Sequence, residues 1–261
     1  MNNFIKLIFL FAVLSSCSPY LYSPEPLNMP LPDHKDEVKA NIYYGSNGGG
    51  LQGSYAIDSN FVLIGDFAFV AQKPANDGIP DPDPEHINNL HLSFGGGYFS
   101  SFGNHGRFEI LAGGGFGNAN AHAIDADRTL TFDDFSRMID IRANYMHLFG
   151  QVDIGSMGQN AEIAFGLRAR SLFLTYGKYQ VTTDAFFGPT DPLPSLSQNL
   201  SGEVVFAEPC LRAGVGFEKV RLNLSMGYSF RVFGHDIPSS FGTMYQPFFI
   251  STGISVNLFA D

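Results

Sequence analysis

The sequence is poor in charge, and poorer still in cations. Asp, Glu, Lys and Arg make up 15% of the 261 residues, against ~25% in an ordinary soluble domain. Lys and Arg number 15 against 25 acidic residues, for a formal net charge of -10. That balance excludes a nucleic-acid binder that works by neutralising phosphates. Tryptophan is absent and cysteine is confined to Cys17 and Cys210. The apolar run Leu7–Leu14 is too short to span a bilayer as a helix. Phe and Gly are abundant instead, at 26 and 29 residues, and hydrophobic residues reach 44%, too many for intrinsic disorder. The length allows one domain or two small ones, and the composition describes an aromatic-rich, glycine-rich, mostly β chain.

Met1 to Cys17 reads MNNFIKLIFLFAVLSSC. Lys6 followed by a short apolar run fits the core of a signal peptide. Leu14-Ser15-Ser16-Cys17 resembles the lipobox of bacterial lipoproteins, in which the cysteine is diacylated and becomes the new N-terminus. Two or three acyl chains hold a protein on a membrane almost permanently. With Cys17 acylated, Cys210 has no partner for an intrachain disulfide. Pro19, Pro24, Pro26, Pro30 and Pro32 then crowd residues 18–36. Such density favours an extended tether without packed structure, at ~3.1 Å per residue. A sharper alternative has Tyr20, Leu21, Tyr22 and Leu27 packing into or under one mouth of the folded domain.

From Glu37 onward the dominant period is two. Along Arg221–Val232 the odd positions are Arg, Asn, Ser, Gly, Ser and Arg, and the even ones Leu, Leu, Met, Tyr, Phe and Val. A strand with one polar and one apolar face produces that pattern. Ile163, Phe165, Leu167 and Ala169 likewise oppose Glu162, Ala164, Gly166 and Arg168, and Val38, Ala40, Ile42 and Tyr44 oppose Glu37, Lys39, Asn41 and Tyr43. The pattern predicts strands near 37–45, 50–57, 61–70, 90–101, 107–121, 138–153, 161–180, 202–217, 220–233 and 245–259. Several reach the ~9–11 residues with which a tilted strand crosses a bilayer. Short connections at 58–60, 102–106, 155–160 and 218–219 alternate with long polar loops at 71–89, 122–137, 181–201 and 234–244. Only Ser46–Gly49 breaks the rhythm. Outer-membrane barrels keep their short turns in the periplasm and their long loops outside.

A soluble sandwich or lipocalin-like barrel also alternates, but its outside is charged. Here the polar faces carry Gly, Ser, Asn and Arg, with almost no Lys. Arg107, Arg142, Arg168, Arg170, Arg212, Arg221 and Arg231 fall on that face, with Glu37, Asp66, Glu109, Asp140, Glu162, Glu208 and Glu218. Near-equal numbers of guanidinium and carboxylate groups predict paired charges filling a narrow interior.

The expectation is therefore an all-β chain, a single antiparallel up-and-down transmembrane β-barrel of about ten strands, with eight or twelve as alternatives. Residues 1–16 form a lipoprotein signal peptide, 17–36 the acylated tether and 37–261 the barrel. An even strand number puts both barrel termini on the short-turn side. The lipid anchor is accordingly expected in the periplasmic leaflet and the long loops outside the cell. Cys17, Tyr22-Ser23-Pro24, Asn28-Met29-Pro30-Leu31, Glu37-Val38-Lys39-Ala40 and Leu51-Gln52-Gly53-Ser54-Tyr55-Ala56 together resemble small outer-membrane β-barrel lipoproteins of Bacteroidota-type bacteria. The resemblance covers about the first 57 residues and implies a barrel and an anchor, with no assigned activity. Phe259, two residues from the end, is a near match to the terminal aromatic of barrel-assembly signals.

Chemistry is sparsely signalled. The seven histidines (His34, His86, His91, His105, His122, His147 and His235) make no metal-ligand spacing with one another, with Cys or with carboxylates. His91 beside Ser93 invites a barrel hydrolase, but a lone His facing a polar lumen is more often a hydrogen-bonded filler. The triple glycines Gly48–Gly50, Gly95–Gly97 and Gly113–Gly115 lack the ending of a phosphate loop; in strands they let a wall bend or long side chains cross. Neither catalysis, a metal nor a cofactor is expected. Acidic loop residues Asp77, Asp81, Asp83, Glu85, Asp125, Asp127, Asp133 and Asp134 offer a site for divalent cations shared with lipopolysaccharide, against the plainer reading of solvated tips. Outer-membrane lipid is the expected partner. The functional expectation is a structural or surface-interaction protein whose lumen is plugged by Arg–carboxylate pairs. Its alternatives are a narrow conduit or binding barrel for a small or apolar solute, and a lipid hydrolase.

Overall fold

The computed structural model describes residues 22–72, 86–126, 135–185, 196–199, 201–217, 219–235 and 247–258. Twelve strands run in chain order: β1 (Val38–Gly45), β2 (Gly48–Ala56), β3 (Phe61–Gln72), β4 (His86–Phe102), β5 (Gly106–Ala126), β6 (Phe135–Met157), β7 (Ala161–Ala185), β8 (Leu196–Asn199), β9 (Gly202–Gly216), β10 (Val220–Tyr228), β11 (Phe230–His235) and β12 (Phe248–Asn257). They make ten wall positions. β8 continues the pairing of β9 along β7, and β11 continues that of β10 along β9. Each wall strand pairs antiparallel with the next. The cylinder closes where β1 meets β12, from Lys39 opposite Asn257 to Gly45 opposite Ser251. The fold is thus a closed, ten-stranded, up-and-down antiparallel β-barrel, as the alternation predicts.

The faces follow the predicted phase. Ile42, Leu222 and Ile163 project outward, each more than half exposed, while Glu208 and Arg170 are fully buried inside. Alternating side chains and a closed sheet leave the outer face apolar and every wall strand paired, which a bilayer requires. The arrangement holds only over part of each long strand. On β6 the even positions Met146, Leu148, Val152 and Ile154 face outward and are apolar. Nearer the long-loop end, Asn144 and Arg142 take the same outward positions, while Ile141, Ala143 and Tyr145 turn inward. Asn118 and Asn120 on β5 and Asn88 on β4 repeat the change. The lower part of the wall thus carries an apolar outer band, and above that band the wall has a polar outside and an apolar inside.

The rim is uneven. β5, β6 and β7 have 21, 23 and 25 residues, whereas β1, β2 and β12 have 8, 9 and 10. The wall is therefore low where β12, β1 and β2 meet, beside the two-residue turn Ser46-Asn47.

Residues 22–32 lie inside the barrel, as the alternative for Tyr22 and Leu27 expects and against the unpacked spacer that the proline content predicts; Tyr20 and Leu21 lie outside the described residues. Tyr22, Leu27, Met29 and Leu31 are all at most 1% exposed. This strap enters from β1 at the short-turn mouth and runs toward the long-loop end. The wall makes room for it with small residues. A Cβ added to Gly166 would fall 2.9 Å from both Leu27 Cδ2 and Met29 Sδ, and one on Gly155 would fall 2.6 Å from Leu31 Cδ1.

A closed barrel resists detergent until heated. The purified, unboiled protein should migrate faster in a detergent gel than the boiled sample, and a single heat-independent position would contradict closure.

Candidate functional site

The strap meets the wall through its backbone carbonyls. Proline has no N–H, so Pro24, Pro26 and Pro30 bring acceptors into the lumen without donors to satisfy. Wall side chains supply the donors. Asn47 Nδ2 donates to the Pro24 carbonyl at 3.1 Å and Gln52 Nε2 to that of Pro26 at 2.7 Å. Gln151 Nε2 donates to the Asn28 carbonyl at 2.7 Å, and Arg212 to that of Met29. Lys39 Nζ holds the carbonyls of Pro30 and Leu31 at 2.8 and 3.0 Å. Leu31 has φ 46, a left-handed conformation that a branched side chain seldom adopts. Its N–H donates to Glu109 Oε1 at 2.8 Å, so both its polar groups are fixed from the wall.

Glu25, on the strap, is the centre of the main charge cluster. Arg168 Nη1 lies 2.9 Å from Glu25 Oε1, and Arg170 clamps the same carboxylate with both terminal nitrogens. Arg168 Nε donates to Glu208 Oε2 at 2.6 Å, and Tyr22 Oη donates to Glu208 Oε1 at 2.5 Å. Two guanidinium groups thus face two carboxylates, and neither charge sign is left in excess. Arg168 and Arg170 point inward together because they lie two residues apart on β7. Glu208 faces Arg168 directly across the β7–β9 pair. A second cluster lies toward the short-turn mouth. There Glu162 takes Arg212 on Oε1 and Arg221 on Oε2, each at 2.9 Å. At the mouth itself Glu37 holds Lys39 at 3.1 Å and accepts from Asn257 Nδ2 at 2.8 Å, while Arg107 reaches Asp33 at 2.6 Å. A cavity of about 350 Å³ opens at this end beside Lys39, Arg107 and Arg221.

Most of the sequence-predicted lumen residues are in place. Glu37, Arg107, Glu109, Glu162, Arg168, Arg170, Glu208, Arg212 and Arg221 are buried inside and bonded. Asp66 is buried beside Asn28 of the strap. Three residues depart from the prediction. Arg142 is exposed on the outer wall, and Asp140 on the same face pairs with His122 at 2.8 Å. They sit above the apolar band, on the part of the outer wall that is polar. Arg231 is half-buried against Gly234 and joins no ion pair among the described residues. Cys17, Glu218 and the acidic loop residues lie outside the described residues, apart from the backbone of Asp125 in β5.

The sequence reading missed Glu25, which resembles any acid in a spacer. It also missed the ring ladder of β6. Tyr145, His147 and Phe149 lie opposite Gly117, Gly115 and Gly113 of β5. A Cβ on Gly115 would sit 2.7 Å from His147 Cε1, and one on Gly113 2.6 Å from Phe149 Cζ. The glycines let the rings lie flat on the neighbouring strand.

His91 and Ser93 do meet. Ser93 Oγ is 2.8 Å from His91 Nε2 and 3.2 Å from His147 Nε2. The nearest acid, Glu25, lies 3.4 Å from the same His91 Nε2, whereas a catalytic relay puts the acid on the opposite ring nitrogen from the nucleophile. The imidazole here bridges a serine and a strap carboxylate. Among the described residues, no cluster of His, Cys, Asp and Glu could hold a metal ion. No family model and no curated protein matches the chain.

Removing one partner of a buried ion pair costs about 3–5 kcal/mol, and exposed surface changes stay within ~0.5 kcal/mol. Glu25→Ala, which leaves Glu208 as the one carboxylate for both Arg168 and Arg170, should therefore lower the temperature at which the folded gel band disappears by many degrees. Arg142→Ala should leave it unmoved. In a second test Gly166→Leu, which collides with Leu27 and Met29, should make the strap susceptible to protease in the folded protein. Protection equal to wild type would show that the strap does not lie there.

Proposed function

We propose that the protein is an outer-membrane β-barrel lipoprotein, anchored through acylated Cys17, with a structural or surface-interaction role and a lumen closed to general diffusion. The observation that carries this reading is the strap. A ten-stranded barrel has a narrow interior, and here residues 22–32 and the two charge clusters occupy it. Opening it would expose Glu25, Arg168 and Arg170 without their partners. The apolar outer face and the closed hydrogen-bonding of the wall support a bilayer setting. The signal-like N-terminus and the lipobox support export and acylation. The long-loop end is then the surface offered to partners, and outer-membrane lipid surrounds the apolar band.

The cavity at the short-turn mouth favours one second reading, a barrel that binds a small solute from that side without passing it. A lipid hydrolase is disfavoured by the bridging role of His91 and by the burial of Ser93 at 1% exposure.

Planar-bilayer recordings separate a closed barrel from a conduit. The wild-type protein should give no steady conductance. Steady open channels that disappear when Arg168 and Arg170 are replaced would contradict the proposal. A Ser93→Ala, His91→Ala double variant should leave membrane lipid composition unaltered; a change would revive the hydrolase.

A further inference from the structure

The direction of the strap decides which face of the membrane receives the lipid anchor. Both ends of the barrel wall, Val38 and Asn257, lie at the short-turn mouth, and a tether running straight from β1 would put Cys17 in the leaflet on that side. The chain instead turns inward at Asp36, where φ is 65, and climbs through the lumen. Leu31 is bonded to Glu109 on the lower part of β5. Glu25 lies higher, among Arg168, Arg170 and His91, and Tyr22 stacks on Phe206 with ring centroids 4.9 Å apart and meets Tyr145 edge-on at 6.5 Å. Tilted strands advance ~2.5 Å per residue along a barrel axis. Phe206 and Tyr145 stand about 10 and 12 residues from the short-turn ends of β9 and β6, which puts Tyr22 ~25 Å or more above that rim. The apolar band ends at the same height: Tyr145 is next to Asn144, the outward position at which β6 becomes polar.

Tyr22 is five residue steps from Cys17, which fully extended span at most ~18 Å. That is less than the distance back to the short-turn face. The way back is also filled, because Arg170 and Glu208 are fully buried against Tyr22 and Glu25 and leave no passage for a second chain. A short path leads the other way. The rim is lowest over β12, β1 and β2, and there Asn47, in the turn between β1 and β2, holds the Pro24 carbonyl at 3.1 Å. Tyr44, 71% exposed just below this turn, presents an aromatic ring to the surroundings, as residues do where a barrel meets the lipid headgroups.

We infer that the N-terminus threads the barrel, so that acylated Cys17 leaves by the long-loop mouth and its acyl chains enter the leaflet on that side, at the low rim above Ser46-Asn47. This rests on the proposed acylation and reverses the leaflet expected from the loop rhythm. Anchor and strap then act together: the lipid holds one end of residues 17–36 at the cell surface, β1 holds the other at the periplasmic face, and the ion-paired section between them cannot slip out of the lumen. The protein becomes a lipoprotein with a surface-side anchor and a periplasmic C-terminal strand.

Variants of the full chain that carry Cys210→Ser and one added cysteine, in the outer membrane of intact cells, test this with a membrane-impermeant maleimide, since acylated Cys17 has no free thiol. Asn199→Cys, exposed at the long-loop end on β8, and Ser59→Cys, exposed in the turn after β2, mark the two faces. Ser18→Cys reports the anchor. The inference expects Ser18→Cys to be labelled on intact cells to the same extent as Asn199→Cys, with Ser59→Cys labelled only after the outer membrane is permeabilised. Ser18→Cys labelling only on permeabilisation, together with Ser59→Cys, overturns it. The underlying reading fails by different signs. Intact mass showing an unacylated Cys17, or Ser59→Cys labelling on intact cells while Asn199→Cys does not, would refute the anchor or the barrel's orientation; the mouth of exit is still given by which marker Ser18→Cys follows.

Discussion

The interior of this barrel is governed by the need to satisfy backbone carbonyls away from water. An extended chain inside a β-cylinder has no ladder of its own, since every wall strand is already paired to its neighbours. Each buried peptide group on it must find a side chain, because an unmet polar group costs about 1–3 kcal/mol. The prolines at 24, 26, 30 and 32 remove N–H groups that the wall would have had to accept. Asn47, Gln52, Gln151, Arg212 and Lys39 donate to the carbonyls of Pro24, Pro26, Asn28, Met29, Pro30 and Leu31. Arginine and amide side chains suit this task because they donate at a distance from the wall. The charge clusters follow from the same constraint: having brought guanidinium groups inside, the fold needs carboxylates, and the strap supplies one of them at Glu25.

Two further features serve that arrangement. Glycine and alanine on the inner face, at Gly155, Ala164 and Gly166, leave a groove for Leu27, Met29 and Leu31. On the adjoining strands the glycines of β5 let Tyr145, His147 and Phe149 of β6 lie flat, and Tyr145 meets Tyr22 of the strap edge-on. Higher up, the lumen changes character. Val70, Ile87, Ala119, Ala121, Ile141, Leu172 and Val204 close around Tyr22 in an apolar cluster, while the outside becomes polar. The lower half has an apolar outside and charge inside, the upper half a polar outside and an apolar core. Tyr22 lies where the two meet, its ring in the apolar cluster and its hydroxyl on Glu208.

The alternation of β1, β7 and β10 reads directly from their residues, because a side-chain period of two on a wall with unlike faces leaves no other regular solution. Strand number, closure and the inward set from Arg168 to Arg221 follow from it. What the period cannot carry is where the outer face changes character. Asp140 and Arg142 keep the same phase as Met146 and Leu148, so alternation alone does not mark the height at which the outside becomes polar. The strap was concealed for a different reason. A proline-rich stretch has the composition of a spacer, and its burial depends on donors contributed by β1, β2, β6, β7 and β9, most of them distant in sequence. Tyr22 and Leu27 carried the one hint, as apolar side chains in a segment otherwise suited to solvent. Glu25 carried none.

Amide hydrogen exchange across residues 22–32 of the folded, detergent-solubilised protein tests the central claim most directly. The account predicts that Glu25, Leu27, Asn28, Met29 and Leu31 exchange as slowly as the strands of the wall and become fast only when the barrel itself unfolds. Exchange at the rate of a free peptide, with the wall still protected, would mean that the lumen is not occupied by the strap.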